Sequence, residues 1–307
     1  MIISASYKTD IPAFYGEWFL NRLSAGYCKA RNAFNNRPFE IDLSKRNVDG
    51  FIFWTKNAKP FESGLMDVAR RDFPFIVQYT INGYPRELEN RVVNYRAAIE
   101  DFISISKKYG SNTCVWRYDP VIFSETTDEE FHLSRFSEIA SALSGYTDEV
   151  VFSFVQMYRK TKRNLGKLEA KNGHPYHDGS NEQKIALVEQ IIDIAKLNGM
   201  SINICSQPEF LSINPSLGEA RCVDADRLQR IAKNIINAKL RGSRSSCGCF
   251  ESKDIGEYDT CPHGCIYCYA VRSRDRAVKR FKEHNPLSEF LFEEPSIVQT
   301  EQPSLFI

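Results

Sequence analysis

At 307 residues, 42% of them hydrophobic, the chain can bury a large core and falls within the range of a single α/β barrel. The 40 Lys and Arg nearly cancel the 39 Asp and Glu, for a net charge of +1; no global field therefore selects nucleic acid or a membrane. The opening MIISASYKTD reads as a strand, not a secretion signal, and the apolar runs are too short to span a bilayer. A soluble, cytoplasmic protein without a membrane partner is expected.

Short runs rich in β-branched and aromatic residues predict strands over 2–6, 50–55, 75–81, 113–118, 150–155 and 201–205. Helical patterns lie between them, near 14–23 and 65–71 and more clearly beyond. Val92, Tyr95, Ile99, Phe102 and Ser106 share one helix face that Gly110 stops. Thr127 and Glu130 read as a capping box for a helix over 128–143, and Ser180 and Gln183 as one for a helix to Leu197, ended by Gly199. Residues 24–49 read as an irregular or hairpin insertion. Strands alternating with helices imply a parallel sheet with right-handed crossovers. The expected fold is therefore α/β: a six-stranded parallel (β/α) barrel, partial or complete and TIM-like, with a C-terminal metal-binding extension. Residues 1–238 would form the barrel and 239–307 a cysteine-rich segment packing on it. KLRGSRSS (239–246) reads as a linker, and the final residues as a tail docking through Leu305 and Phe306.

Nine cysteines without a secretion signal point to metal or redox chemistry rather than disulfides. Five of them fall between 247 and 268. Residues 261–268 read CPHGCIYC, and three thiolates at this spacing, Cys261, Cys265 and Cys268, suit three corners of a cubane cluster with one iron left open. Gly264 lets the loop turn tightly. Structural zinc competes with this reading, but it favours two separated pairs giving four ligands. Cys205, Cys222, Cys247 and Cys249 would complete a second, four-thiolate site for an auxiliary cluster or zinc; alternatively Cys205 and Cys222 are small buried apolar residues. Cys28 and Cys114 read as structural.

At CPHGCIYC the sequence resembles the radical-SAM superfamily, and the longer CPHGCIYCYA resembles its spore photoproduct lyase branch. The resemblance implies a 4Fe-4S cluster on the three cysteines, S-adenosylmethionine at the open iron and a 5′-deoxyadenosyl radical. It places Tyr267 against the adenine and calls for an electron donor. In that family the loop follows the first strand, whereas here it follows the sixth. A permuted chain must therefore fold its C-terminal segment back over the barrel mouth. ISASYKTDIPAFYGEWF, FIFWTKN and VWRYDP, with the cysteine segment, also resemble an uncharacterised bacterial domain family over nearly the whole chain.

Other polar residues gather where strands end, at the mouth of a parallel α/β fold. These are Lys8 and Asp10, Lys56 and Asn57, Arg117 and Asp119, and Gln207 and Glu209. Arg117, Asp119 and Lys56 are expected to be catalytic or substrate-binding, and Asp10 and Asn57 to face the cofactor; Asp10 reads alternatively as a helix cap. The basic run 159–171, and Arg272, Arg274, Arg276, Lys279, Arg280 and Lys282, would suit a nucleotide or nucleic-acid substrate, or simply form solvated faces. The alternative to a radical enzyme is a non-catalytic iron–sulfur or zinc protein, whose metal folds the C-terminal segment while the barrel binds or senses a ligand.

Overall fold

The computed structural model describes residues 1–32, 35–242 and 246–293; Leu305, Phe306 and part of the expected linker lie outside the described residues. The strands begin with β1 (Ile2–Ala5), the antiparallel pair β2 (Tyr27–Arg31) and β3 (Pro38–Asp42), β4 (Gly50–Thr55) and β5 (Phe75–Thr80). There follow β6 (Cys114–Val121), β7 (Glu149–Phe154), β8 (Ser201–Ile204), β9 (Leu217–Glu219) and β10 (Ser252–Asp254). The helices are α1 (Ile11–Phe14), α2 (Gly16–Ala25), α3 (Glu62–Arg70), α4 (Tyr95–Tyr109), α5 (Glu129–Leu143), α6 (Arg159–Asn172), α7 (Asn181–Leu197), α8 (Ala225–Ala232) and α9 (Arg274–Lys282).

All six expected strands are present and adjacent, and 24–49 contains a hairpin, β2–β3. The sheet, however, has eight parallel strands, not six, in the order β10-β1-β4-β5-β6-β7-β8-β9. The two additions are edge strands of three residues each, too short to show a period. Among the described residues the ladder is open between β9 and β10. Across that gap Phe250 N–H donates to Val223 O at 3.0 Å.

Strand parity sorts the side chains. Ile3, Phe51, Phe53, Val77, Trp116, Phe152 and Ile204 face outward into the main core beneath the helices. Ile2, Ile52, Ile76, Val115 and Val151 face inward and share one cluster with Leu228 of α8. These five come from adjacent strands β1, β4, β5, β6 and β7 and form one continuous apolar row on that face. One step nearer the strands' C-terminal ends that face becomes polar, with Ser4, Gln78 and Arg117 all buried.

Two helix starts differ from the sequence reading. Asp128, not Thr127, caps α5, accepting from Phe131 N at 2.8 Å, while the Thr127 hydroxyl donates to Ile122 O. The apolar stripe of α4 extends back to Val92, but Asn94 caps the helix at Tyr95. The Ser180–Gln183 capping box is formed as expected.

His132 of α5 is fully buried against β6, and both ring nitrogens are engaged: Nε2 meets Ile122 O at 3.0 Å and Nδ1 meets Tyr118 Oη at 2.9 Å. A carbonyl only accepts, so Nε2 carries the proton and neutral Nδ1 accepts from Tyr118. Burial lowers the His132 pKa to about 4. The unfolded chain then binds more protons between that value and the ordinary one near 6.5. Stability from this residue is complete above about pH 6.5 and is lost as pH falls toward 4, by about 2 kcal/mol at pH 5. Urea unfolding at several pH values should show this loss, and its persistence undiminished in His132→Gln would exclude the assignment.

Candidate metal centre and its polar network

The cysteine loop follows β10 and lies at the C-terminal ends of β1, β4 and β5. Several contacts hold it there. Tyr15 Oη donates to Thr260 O at 2.6 Å, Arg91 N donates to His263 O at 2.9 Å, and Ile266 N donates to Leu88 O at 3.0 Å. Thr161 Oγ1 of α6 donates to Tyr267 O at 3.1 Å. Gly264 has φ +75°, and a Cβ there would come within 3.0 Å of Arg274 Cδ, so both conformation and space favour glycine.

Each loop thiol faces polar or charged neighbours. The backbone of His263 faces Cys261 and the backbone of Ala270 and of Val271 faces Cys268, while Cys265 lies beside Lys56 and the Tyr267 hydroxyl, whose proton goes to Glu89. Burial nonetheless raises all three thiol pKa values. Asp10, Cys268 and Cys265 raise Cys261 further; at Cys265, Lys56 pulls down while Glu89 and Cys268 push up. Three thiols close enough to perturb one another, two of them facing backbone N–H groups and the third beside the Lys56 ammonium, form a set suited to thiolate ligands, whose charge a metal would compensate. His263 Nδ1, buried in the same loop, has no partner among the described residues.

Among the described residues no three His, Cys, Asp or Glu side chains form a ready group for one metal ion. A cubane differs in this respect, because it spreads its ligands over separate irons.

Asp10 caps α1, its alternative reading, and its second carboxylate oxygen meets the cysteine loop. Oδ1 accepts from Ala13 N at 2.9 Å, capping α1, while Oδ2 accepts from Lys56 N and from His263 Nε2, each at 2.8 Å. Asp10→Ala removes the cap and strands two buried donors, an expected loss of about 2 kcal/mol. Thermal unfolding of Asp10→Ala beside Asp10→Asn, which keeps one acceptor, would measure it.

Lys56 pairs with Glu89 at 2.7 Å, and both side chains are largely buried. Tyr267 Oη also donates to Glu89 Oε1, and its ring stands edge-on to Tyr84 at 6.0 Å. Asn82 Nδ2 reaches Tyr267 Oη at 3.3 Å and Asp119 O at 3.2 Å, while Asn82 Oδ1 accepts from Asp119 N at 2.9 Å. Asp119 in turn pairs with Arg117 and accepts from Ser153. Burial would raise the Asp119 pKa, but Arg117 and the hydrogen bonds outweigh it and hold the carboxyl below its ordinary value. Arg117 Nη1 ends the chain 2.8 Å from Cys222 Sγ. One polar network thus runs from the cysteine loop through Glu89, Asn82, Asp119 and Arg117 to the second group of cysteines.

Arg117, Asp119, Lys56, Tyr267 and Asp10 are therefore brought into one region. Arg117 and Asp119 lie within β6 rather than after it. Asn57 is placed by its backbone N–H on Thr55 Oγ1 at 2.9 Å, a contact away from the loop. Lys8 pairs with Asp254 at 3.4 Å, and Gln207 is committed to the Phe154 backbone. Cys28 and Cys114 are fully buried. Glu89 and Asn82 escape the sequence reading: Asn82 is two residues beyond β5, and Glu89 sits farther along a patternless loop. The length of that loop at a strand's C-terminal end was the available signal.

The basic run forms α6, where Lys160 and Arg163 donate to Tyr269 O and Arg272 O; Lys162, Lys167 and Lys171 are exposed. No helix among the described residues is long and apolar enough to cross a membrane. No curated protein matches the chain. A family model does match, over residues 2–270 and therefore nearly the whole length: the chain belongs to the family described as Domain of unknown function (DUF1848).

Proposed function

We propose that this protein is a radical S-adenosylmethionine enzyme, carrying a 4Fe-4S cluster on Cys261, Cys265 and Cys268 within a partial (β/α) barrel. The supporting observation is the position of the CPHGCIYC loop: it is held at the C-terminal ends of β1, β4 and β5, although it follows them in the chain. This is where parallel α/β folds carry their sites.

When bound, cluster and S-adenosylmethionine would supply reductive formation of a 5′-deoxyadenosyl radical, with electrons from a separate donor. The chain's residues orient and shield. Asp10 and Glu89 fix the loop through His263 and Tyr267. Lys56 sets a buried positive charge beside Cys265, favouring its thiolate. Arg117 and Asp119 line the polar inner face as candidate substrate groups. Exposed Lys162, Lys167 and Lys171 on α6, whose first turn contacts the loop region, favour a nucleotide or nucleic-acid substrate.

One observation favours a non-catalytic iron–sulfur protein instead. The cavity beside Lys56, Asn82, Tyr84 and Glu89 measures about 60 Å³, whereas small-molecule sites usually occupy roughly 300–1,000 Å³. Anaerobic reconstitution, reduction and addition of S-adenosylmethionine separate the two readings. 5′-Deoxyadenosine should accumulate, and its absence from a fully loaded, reduced protein leaves the second.

A further inference from the structure

We propose that Cys205, Cys222, Cys247 and Cys249 form a four-thiolate site for one zinc ion, distinct from the cysteine loop. Three segments deliver these residues: the end of β8, the stretch after β9, and the turn preceding β10. Cys205 Sγ lies 3.7 Å from Cys222 Sγ. Cys249 neighbours Cys222 closely enough to act on it, and Cys247 neighbours Cys249 likewise, so the four thiols follow one another in a row.

The Cys205–Cys222 edge has the size a single ion requires. Zinc–sulfur bonds of about 2.3 Å at tetrahedral angles separate the sulfurs by about 3.8 Å. A cubane would hold its ligands wider apart. As they stand the thiols form a row and not a closed tetrahedron, so zinc would draw Cys247 and Cys249 onto the Cys205–Cys222 edge.

Two donors already point at these sulfurs. Val223 N–H lies 3.4 Å from Cys249 Sγ, and Arg117 Nη1 lies 2.8 Å from Cys222 Sγ. A thiolate site carries excess negative charge, and such donors stabilise it. Gly248, between Cys247 and Cys249, lies so close to β9 that a Cβ would come within 2.8 Å of the Glu219 carboxylate carbon. The turn thereby lies against the Glu219 side chain of β9, the edge strand with no partner on that side among the described residues. The row spans the gap between β9 and β10, where zinc would link the two edges and contribute folding energy directly.

The test measures metals in the full-length protein, purified without chelators under anaerobic conditions. About one zinc per chain is expected, lost in Cys222→Ser and Cys249→Ser but retained in Cys265→Ser and in the control Cys114→Ala. Cobalt substitution of the unaltered protein gives a readout that does not depend on any variant folding: a tetrahedral spectrum with intense sulfur-to-cobalt charge transfer is expected. Zinc content unchanged in Cys222→Ser and Cys249→Ser, iron in place of zinc at these residues, or a Cys205–Cys222 disulfide in the native protein would each overturn the proposal. Zinc lost only with Cys265 would place the metal on the loop, so the two sites can fail separately.

Discussion

Replacing Glu89 with alanine is expected to destabilise the protein by about 3–5 kcal/mol, the usual cost of removing one member of a buried ion pair. The cost comes from what remains. Lys56 would keep a largely buried ammonium without its 2.7 Å partner, and the Tyr267 hydroxyl would lose its carboxylate acceptor. Glu89→Gln should cost less, because it retains an acceptor for Tyr267. Lys56→Met combined with Glu89→Leu should recover part of the loss, since a buried pair replaced by apolar groups leaves no stranded charge. Tyr267→Phe should cost about 1 kcal/mol, the net value of one hydrogen bond. Urea unfolding of this set checks the account, and a Glu89→Ala loss below 1 kcal/mol would show that the network contributes little.

Cys265→Ser is expected to reduce bound iron after reconstitution from about four per chain to background. Cys265 is central to the loop: its backbone bridges Glu89, its thiol lies beside Lys56, Cys268 acts on it, and it acts in turn on Cys261. Metal loading should also protect the loop and α9, because binding energy held by the native state alone adds to folding stability. At about a hundred times the dissociation constant this amounts to roughly 3 kcal/mol. Hydrogen exchange in loaded and metal-free protein reads the difference at Thr260–Ala277, and equal protection in the two forms would contradict it.

The sheet is legible in the sequence where strands carry a strong chemical signature. FIFWTKN and VWRYDP mark β4 and β6 because aromatic and β-branched side chains suit a sheet covered on both faces. LGE and SKD, which form β9 and β10, carry no such signature: tertiary contact with β8 and β1 makes them strands. The cap of α5 falls one residue beyond the sequence expectation because Thr127 and Asp128 are both good capping types, and the buried Ile122 carbonyl draws the Thr127 hydroxyl away.

The candidate site was legible where spacing carries the chemistry. Three cysteines on eight residues announce themselves, and parity places Arg117 and Asp119 on the same face of β6. Glu89 and Asn82 were not legible, since their importance depends on a loop from almost two hundred residues later folding over them. The row of Cys205, Cys222, Cys247 and Cys249 was legible as a set but not as an arrangement, which depends on both sheet edges meeting near Val223 and Phe250.

The central claim, an open iron on the cysteine loop, is tested most directly by electron paramagnetic resonance of the reduced, reconstituted protein before and after adding S-adenosylmethionine. The signal should change on addition in the unaltered protein and be absent altogether in Cys265→Ser. A signal that S-adenosylmethionine leaves unchanged, or a loop that holds zinc and no iron, would contradict the account.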